Sequence, residues 1–144
     1  MTEITIKQVS WQQSQQDLQA VRTPVFIQEQ LVAPAFEWDT LDQTAVHVLA
    51  SINDCPIACL RIINYQKIGR MAVLKQWRKQ GVGNAILHKA IEICHLQGNC
   101  NIYLSAQTHA IGFYQQAGFV VTSDIYQDLH IPHVDMQLSL SVQG

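Results

Sequence analysis

Charge is scarce in this sequence. Of 144 residues, 9 are Lys or Arg and 11 are Asp or Glu, for a formal net charge of −2. That balance lacks the basic stripe of a nucleic-acid-binding surface, so no nucleic-acid partner is expected. No apolar run approaches the ~18 residues of a membrane-spanning helix, so no membrane partner is expected. Met1 to Val9 alternates polar and apolar residues and lacks the charged-then-apolar build of a secretory signal. A cytoplasmic location is the expectation. The four cysteines, Cys55, Cys59, Cys94 and Cys100, include no CxxC pair. Cys55 and Cys59 have a spacing found in zinc sites, but no matching second pair follows. They read as reduced, mostly buried thiols that act as small hydrophobes, with no metal expected. Internal repeats, low-complexity linkers and charge blocks are also absent. What remains is 48% apolar, a globular composition. A chain of this length buries a core without staples and reads as one domain, 1–144.

The apolar residues change period along the chain. Thr5 to Val9 alternates and predicts a strand. From Ser14 to Gln30, Leu18, Val21, Val25, Phe26 and Ile27 make a helical stripe that Pro24 should break or kink near Thr23. The Gln-rich stretch from Gln12 to Gln19 reads as polar helix surface. Ala33 to Asp42 is an acidic, Pro-containing connection. Ala45 to Ile52 and Ile57 to Ile63 are β-branched and flank the turn signal Asn53-Asp54, which predicts a hairpin. Gly69 to Leu74 is a further strand. Between Gly81 and Gln97, Val82, Ile86, Ala90 and Ile93 repeat at helical spacing, and Gly98 caps the end. Asn101 to Ser105 predicts a strand. Thr108 to Gln116 predicts a short helix with Thr108 as N-cap and Gly118 as terminator. Phe119 to Tyr126 and His133 to Leu140 predict two closing strands. This order suits an α/β or α+β sandwich with helices on both faces of a mixed sheet.

The chemistry concentrates where the Gly69 strand meets the following helix. The turn carries Arg78-Lys79-Gln80-Gly81-Val82-Gly83. A helix start offers unpaired N–H groups and a positive dipole end, which favour phosphate. Gly81 and Gly83 let the backbone approach an anion closely, and Arg78 and Lys79 add charge. No Gly-Lys-Ser/Thr follows, so this is not a Walker loop, and the full GxGxxG of a dinucleotide fold is missing.

Arg78-x-x-Gly81-x-Gly83 resembles the R/Q-x-x-G-x-G/A signature of the GNAT N-acetyltransferase superfamily. Downstream, Leu104-Ser105-Ala106-Gln107, Ala110 and Phe113-Tyr114-Gln115-Gln116-Ala117-Gly118-Phe119 resemble the next block of that family. Arg22-x-x-Val25-Phe26-x-x-Glu29-Gln30, Glu37 to Asp42, Ala45-x-His47 and Ile131-Pro132-His133-Val134-Asp135-Met136 are similar to the ElaA/YjcF-type subgroup. Lys75 departs from the pattern, since many relatives place proline there.

The resemblance implies a GNAT-like, mostly antiparallel central sheet. It also implies an acetyl-CoA-dependent N-acetyltransferase, with acetyl-CoA as cosubstrate and a primary amine as acceptor. Met71, Ala72 and Val73 would lie along the pantetheine arm through their backbone, beside two parallel strands that splay apart. Arg78, Lys79, Gln80, Gly81, Val82 and Gly83 would hold the pyrophosphate, with Asn84 adding a polar contact. Phe113 and Tyr114 would border the cofactor. Tyr114 would protonate the departing thiolate as general acid, titrating near ~10 if unperturbed; packing alone is its other reading. Glu29, His133 and His47 are the candidates for general base. His47 and His133 also read as ordinary strand histidines.

Glu37, Asp39 and Asp42 read either as an exposed acidic loop or as the attraction for a small cationic amine. His88, His95 and His109 prompt a metal reading with the cysteines, and His88 and His95 could share a helix face as a ligand pair, where a solvated face is the plainer role. A non-catalytic acyl-CoA-binding regulatory module and a nucleotide-binding protein are the alternatives to an enzyme. A homodimer is compatible with all three.

Overall fold

Ser10 starts the first helix: its side chain accepts the Gln13 amide, 3.3 Å away. In the computed structural model, which describes residues 3–141, this cap follows strand β1 (Ile4–Val9) and opens α1 (Trp11–Arg22). The helix therefore starts earlier than its apolar stripe suggests, and Ser14, where that stripe begins, carries non-helical torsions. Pro24 does not end the helical path. Lacking an N–H, it cannot make the regular backbone bond, and the chain widens into a π-helical turn over Thr23–Glu29. There Gln30 N bonds Val25 O, five residues back, at 3.2 Å.

The acidic connection holds two short turns, α2 (Pro34–Glu37) and a 3₁₀ turn over Thr40–Gln43. Then β2 (Val46–Ile52) and β3 (Cys55–Ile63) form the expected hairpin, with Asn53 and Asp54 both at positive φ. Next come β4 (Lys67–Val73), α3 (Val82–Leu96), β5 (Asn101–Gln107) and α4 (Ile111–Gln116). The Thr108 cap is not made. Thr108–Ala110 is a separate 3₁₀ turn without a side-chain cap, and α4 starts after Ala110. The strand expected over Phe119 to Tyr126 is split into β6 (Val120–Val121) and β7 (Tyr126–Asp128). Between them Ser123 Oγ accepts the Asp135 amide at 2.8 Å, so a side chain takes the place of the ladder. β8 (Ile131–Ser139) closes the described chain.

The strands form one sheet in the order β1-β2-β3-β4-β5-β8-β6, with β7 also paired to β8. β4–β5 is parallel and the other pairs are antiparallel. The fold is α+β with a mixed, mostly antiparallel sheet. On one face, Val82, Ile86, Leu87, Ala90, Ile93 and Cys94 of α3 pack against Val48, Ala58, Leu60, Ile62 and Ile68. On the other, Leu18, Val21, Val25 and Phe26 pack against Leu49, Cys59 and Ala72. Cys59 and Cys94 are buried core thiols, as expected, whereas Cys55 is exposed at the hairpin. Among the described residues no cluster of three or more His, Cys, Asp or Glu could hold a metal, and no helix is long and apolar enough to cross a membrane.

The acidic segment is not an exposed loop. Glu37 and Asp42 are buried around Arg22, itself 1% exposed. Arg22 Nε donates to Glu37 Oε2 at 2.6 Å and Nη1 donates to Asp42 Oδ1 at 2.7 Å. Its guanidinium lies over the rings of both Trp11 and Trp38, 5.6 and 4.9 Å from their centroids. Arg61 bridges Asp42 and Asp39, and Arg70 sits 3.3 Å from Glu37. Burial pushes the Asp42 carboxyl up, but Arg22 and then Arg61 outweigh it and hold it below its usual range.

Removing one partner of a buried, hydrogen-bonded pair leaves the other charge uncompensated. Arg22→Ala should therefore lose about 3–5 kcal/mol of unfolding free energy, read from denaturant titration. Because the Asp42 pKa is depressed in the folded state, its share of stability is present at neutral pH and lost as pH falls through that pKa. A variant as stable as wild type would show that the cluster holds nothing together.

Candidate active site

β4 and β5 pair at two positions, Lys67↔Tyr103 and Ile68↔Leu104, and then part. Met71, Ala72 and Val73 follow the point of divergence. On its other edge β4 stays bonded to β3 through Ala58↔Val73 and Cys59↔Ala72. Between Cys59 and Arg61 the register shifts, so Leu60 opposes both Arg70 and Met71. Arg70 takes φ +48° in this bulge. Non-glycine residues in that region are uncommon and gather at functional sites.

The parting opens a cleft of about 370 Å³. Phe26 and Gln30 line it from the first helical region, Arg61, Arg70 and Met71 from the sheet, and Ser105, Phe113, Tyr114 and His133 from the far side. Tyr114 is 8% exposed and packs edge-on against Phe113 and Phe119. Its hydroxyl points at Met71 Sδ, 4.0 Å away. Burial pushes the Tyr114 phenol up to about 12. At neutral pH it is a protonated donor in a dry wall.

Beyond Val73 the chain turns through Lys75–Trp77 into the glycine loop. Lys79 and Gly81 have φ of +63° and +83°. The first bond of α3 is from Ala85 N to Gly81 O. The Val82, Gly83 and Asn84 amides precede it and have no acceptor within the helix. A Cβ on Gly83 would stand 3.5 Å from the Phe113 ring and 3.7 Å from Val73 Cγ2, so this glycine seats the loop against the end of β4. Open amides, a positive dipole end and the nearby Lys79 suit a phosphate.

The sequence candidates separate on this frame. Arg78 does not stand free: Nη1 and Nη2 donate to both Glu29 oxygens at 2.9 Å, and Nε donates to Val73 O at 2.9 Å. Glu29 is thus engaged on both oxygens, outside the cleft lining. His47 belongs to the Arg22 cluster and not to the cleft. It is 1% exposed, its Nε2 bonds Asp42 O at 3.0 Å, and burial pushes its pKa down. Of the three base candidates His133 lines the cleft. Its Nδ1 donates to Ile131 O at 2.7 Å, which leaves Nε2 as the acceptor of the neutral ring. The acidic residues Glu37 and Asp42 are committed to arginines and do not attract a cationic amine.

The model of the family described as an acetyltransferase (GNAT) domain matches residues 12–140. The chain belongs to the GNAT acetyltransferase family. It is 36% identical over 121 residues to the N-acetyltransferase YjcF of Bacillus subtilis (strain 168), covering 81% of this chain and 86% of that one. The crystal structure of Escherichia coli ElaA superposes with a TM-score of 0.81 at 31% identity, over 96% of this chain and 100% of that one. An acyl-CoA N-acyltransferase from Pseudomonas aeruginosa gives 0.83 at 29% identity, over 96% and 100%. GNAT enzymes are acyl-CoA-dependent N-acyltransferases that use acetyl-CoA as cosubstrate. The free edge of β4, the open amides of α3 and the adjacent Tyr114 fit that cosubstrate.

Two polar networks reach the cleft that no motif or spacing indicates. His109 Nε2 donates to Gln107 Oε1 at 2.7 Å, and Gln107 Nε2 donates to Gln30 Oε1 at 2.8 Å. This chain ties the first helical region to the end of β5 across 77 residues. Ser105, Tyr126 and Asp135 form the second. Ser105 and Gln107 stand in the block that carries the family resemblance, but their partners are set by sheet register and not by spacing.

At Gly81 a valine would be strained whatever room it found, because its φ of +83° disfavours any β-branched residue. Gly81→Val should cost about 1–2 kcal/mol of stability and abolish acetyl-CoA binding in calorimetry. Gly81→Asn adopts that torsion more readily than valine, so it should lose less stability than Gly81→Val and still bind acetyl-CoA more weakly. Full affinity in both variants would remove the loop from the site.

Proposed function

We propose that the protein transfers the acetyl group of acetyl-CoA directly to a primary amine of a small molecule. The observation that carries this reading is Tyr114, whose protonated hydroxyl faces Met71 just beyond the last β4–β5 pair, Ile68↔Leu104. The cosubstrate's pantetheine arm runs along β4 at Met71, Ala72 and Val73 and bonds backbone there as an added strand would, the Val73 carbonyl being already held by Arg78. The pyrophosphate meets the Val82, Gly83 and Asn84 amides, with Lys79, Gln80 and Gly81 shaping the turn and Phe113 closing it. The amine attacks the thioester carbonyl, the tetrahedral intermediate collapses, and the C–S bond breaks. Tyr114 gives its proton to the leaving sulfur. Arg78 contributes indirectly by holding the Val73 carbonyl and Glu29. A small acceptor is favoured by the cleft's modest volume and by the Gln30–Gln107 bond that joins its two walls.

The deciding experiment is a screen of small primary amines and a lysine peptide with acetyl-CoA, reading thiol release. Tight acetyl-CoA binding without turnover on any amine would mark a regulatory module instead. For the best amine, Tyr114→Phe should keep acetyl-CoA affinity and lose turnover by about 10²-fold, the low end for a positioned general acid. Single-turnover measurement keeps slow product release from masking the loss. Because the phenol is raised to about 12, it stays competent as pH rises past the ordinary tyrosine value of ~10. The wild-type profile should therefore show no alkaline limb from this group near that value. Thiol release by Tyr114→Phe at the wild-type rate would make Tyr114 a packing residue.

Glu29→Gln separates the remaining candidates. Both Glu29 oxygens are already occupied by Arg78, so turnover should stay within about tenfold of wild type. Loss of a positioned general base costs ~10²-fold or more, and a loss of that size would return Glu29 to the catalytic set.

A further inference from the structure

The linked side chains of Ser105, Tyr126 and Asp135 have no part in the steps above. Ser105 lines the cleft and lies opposite Asp135 in the β5–β8 register. Tyr126 pairs with His133 across β7–β8, and the two rings stack with centroids 6.1 Å apart and planes at 22°. The Tyr126 hydroxyl hydrogen-bonds Ser105 Oγ and donates to Asp135 Oδ1 at 2.7 Å.

The direction of these bonds follows from proton count. An ionised carboxylate only accepts, so the single phenolic proton goes to Asp135. Ser105 must then donate its own proton to the Tyr126 oxygen. That leaves Ser105 Oγ with acceptor capacity at the cleft wall. The chain ends at Asp135, which is exposed. A donor in the cleft is thus linked through two hydroxyls to a carboxylate in water.

We propose that Ser105, Tyr126 and Asp135 are the exit path for the proton that the acceptor ammonium must lose before it attacks. This inference rests on the acyl-transfer reading above. The ammonium N–H bond breaks as its proton passes to Ser105 Oγ. The Ser105 proton moves to Tyr126, and the Tyr126 proton moves to Asp135, which releases it to solvent. Over the whole reaction nitrogen sheds two protons and sulfur gains one, so one proton leaves net. Tyr114 supplies the sulfur's proton and is restored by the second nitrogen proton.

The surroundings suit a relay. Burial raises the Tyr126 phenol, the Ser105 bond lowers it, and Asp135 and Asp128 raise it again, for a net upward shift. Tyr126 therefore passes protons on without ionising. Around it β8 brings Asp135 and His133, β7 brings Asp128, and β5 brings the Ser105 hydroxyl. From the turn before β7, Ser123 holds the Asp135 amide. His133 is fixed by its bond to Ile131 O and forms the stacked wall that orients Tyr126.

The test uses the panel amine that the wild-type protein acetylates fastest, with thiol release followed from neutral pH towards that amine's own pKa. Tyr126→Phe keeps the stacking ring and breaks the relay. It should lose about 10²-fold in turnover at neutral pH, with acetyl-CoA affinity unchanged by calorimetry. The loss should shrink as pH rises, because the amine then arrives already deprotonated. Ser105→Ala and Asp135→Asn should show the same narrowing loss, and Ser105→Thr should restore the rate. A loss uniform across pH would mean a structural role and overturn the proposal. So would a wild-type rate in Tyr126→Phe together with a narrowing loss in His133→Gln. If no amine is turned over by the wild-type protein, the functional reading itself has failed and this inference falls with it. If turnover is present and Tyr126→Phe retains it, the relay alone is wrong.

Discussion

Two residue pairs hold β4 to β5, and the site depends on the pairing stopping there. Each strand is committed to its other neighbour. β5 runs in register with β8 from Asn101 to Gln107, and β4 stays on β3 through Val73. Neither can move to close the gap without giving up ladder bonds already made. The gap is therefore a fixed feature of the sheet, bordered by the β4 edge from Met71 to Val73, where the Val73 carbonyl is taken by Arg78. Unpaired groups on a strand edge are templates for another extended chain. An elongated amide-containing arm can use that template with little rearrangement of the protein. The same parting admits the Tyr114 hydroxyl from α4 beside Met71.

A second constraint holds the opposite wall. The π-helical turn that Pro24 forces brings Phe26 and Gln30 to the cleft, and its base is Arg22. Six of the 20 charged side chains in the sequence, Arg22, Arg61, Arg70, Glu37, Asp39 and Asp42, gather around that point. Their formal charges sum to zero. This cluster ties α1, the acidic connection, β3 and the β4 bulge to one another. Arg70 carries the strained torsion of the bulge and also pairs with Glu37. Fixing the first helical region and aiming β4 at the cleft are thus one electrostatic problem. Buried ion pairs add little net stability over apolar packing, so their value here lies in orientation.

The fold was legible where local chemistry and tertiary context agree. Asn53-Asp54 gave a hairpin because both residues tolerate positive φ, and Gly81 and Gly98 bound α3 for the same reason. The glycine loop and the Tyr114 block could be found because spacing along one helix start or one short helix is enough to define them. The acidic connection misled because composition cannot tell an exposed carboxylate from one facing a buried arginine 15 or 20 residues away. Glu29 and His47 failed to reach the cleft for a similar reason. One is held by Arg78, 49 residues away, and the other by the Asp42 carbonyl. Ser105, Tyr126 and Asp135 were invisible as a set because strand register alone joins them.

In the proposed transfer the two ends of the reaction make opposite demands on solvent, and opposite walls of the cleft would meet them. An acid for the thiolate must keep its proton at neutral pH and yield it only when charge develops on sulfur. Burial of Tyr114 among Phe113, Phe119 and Met71 penalises the phenolate and so suits it to that proposed part. A sink for the ammonium proton must instead be charged beforehand and able to discharge. That requires water, which a dry wall excludes. Two carboxylates line the cleft, Glu37 and Asp128, and Glu37 is held by Arg22 and Arg70. In the proposed relay Asp135 takes the proton from outside the cleft, reached through the hydroxyls of Ser105 and Tyr126. The proton would then leave along hydrogen bonds on one wall while the charge that develops on sulfur is met on the other, beside Tyr114.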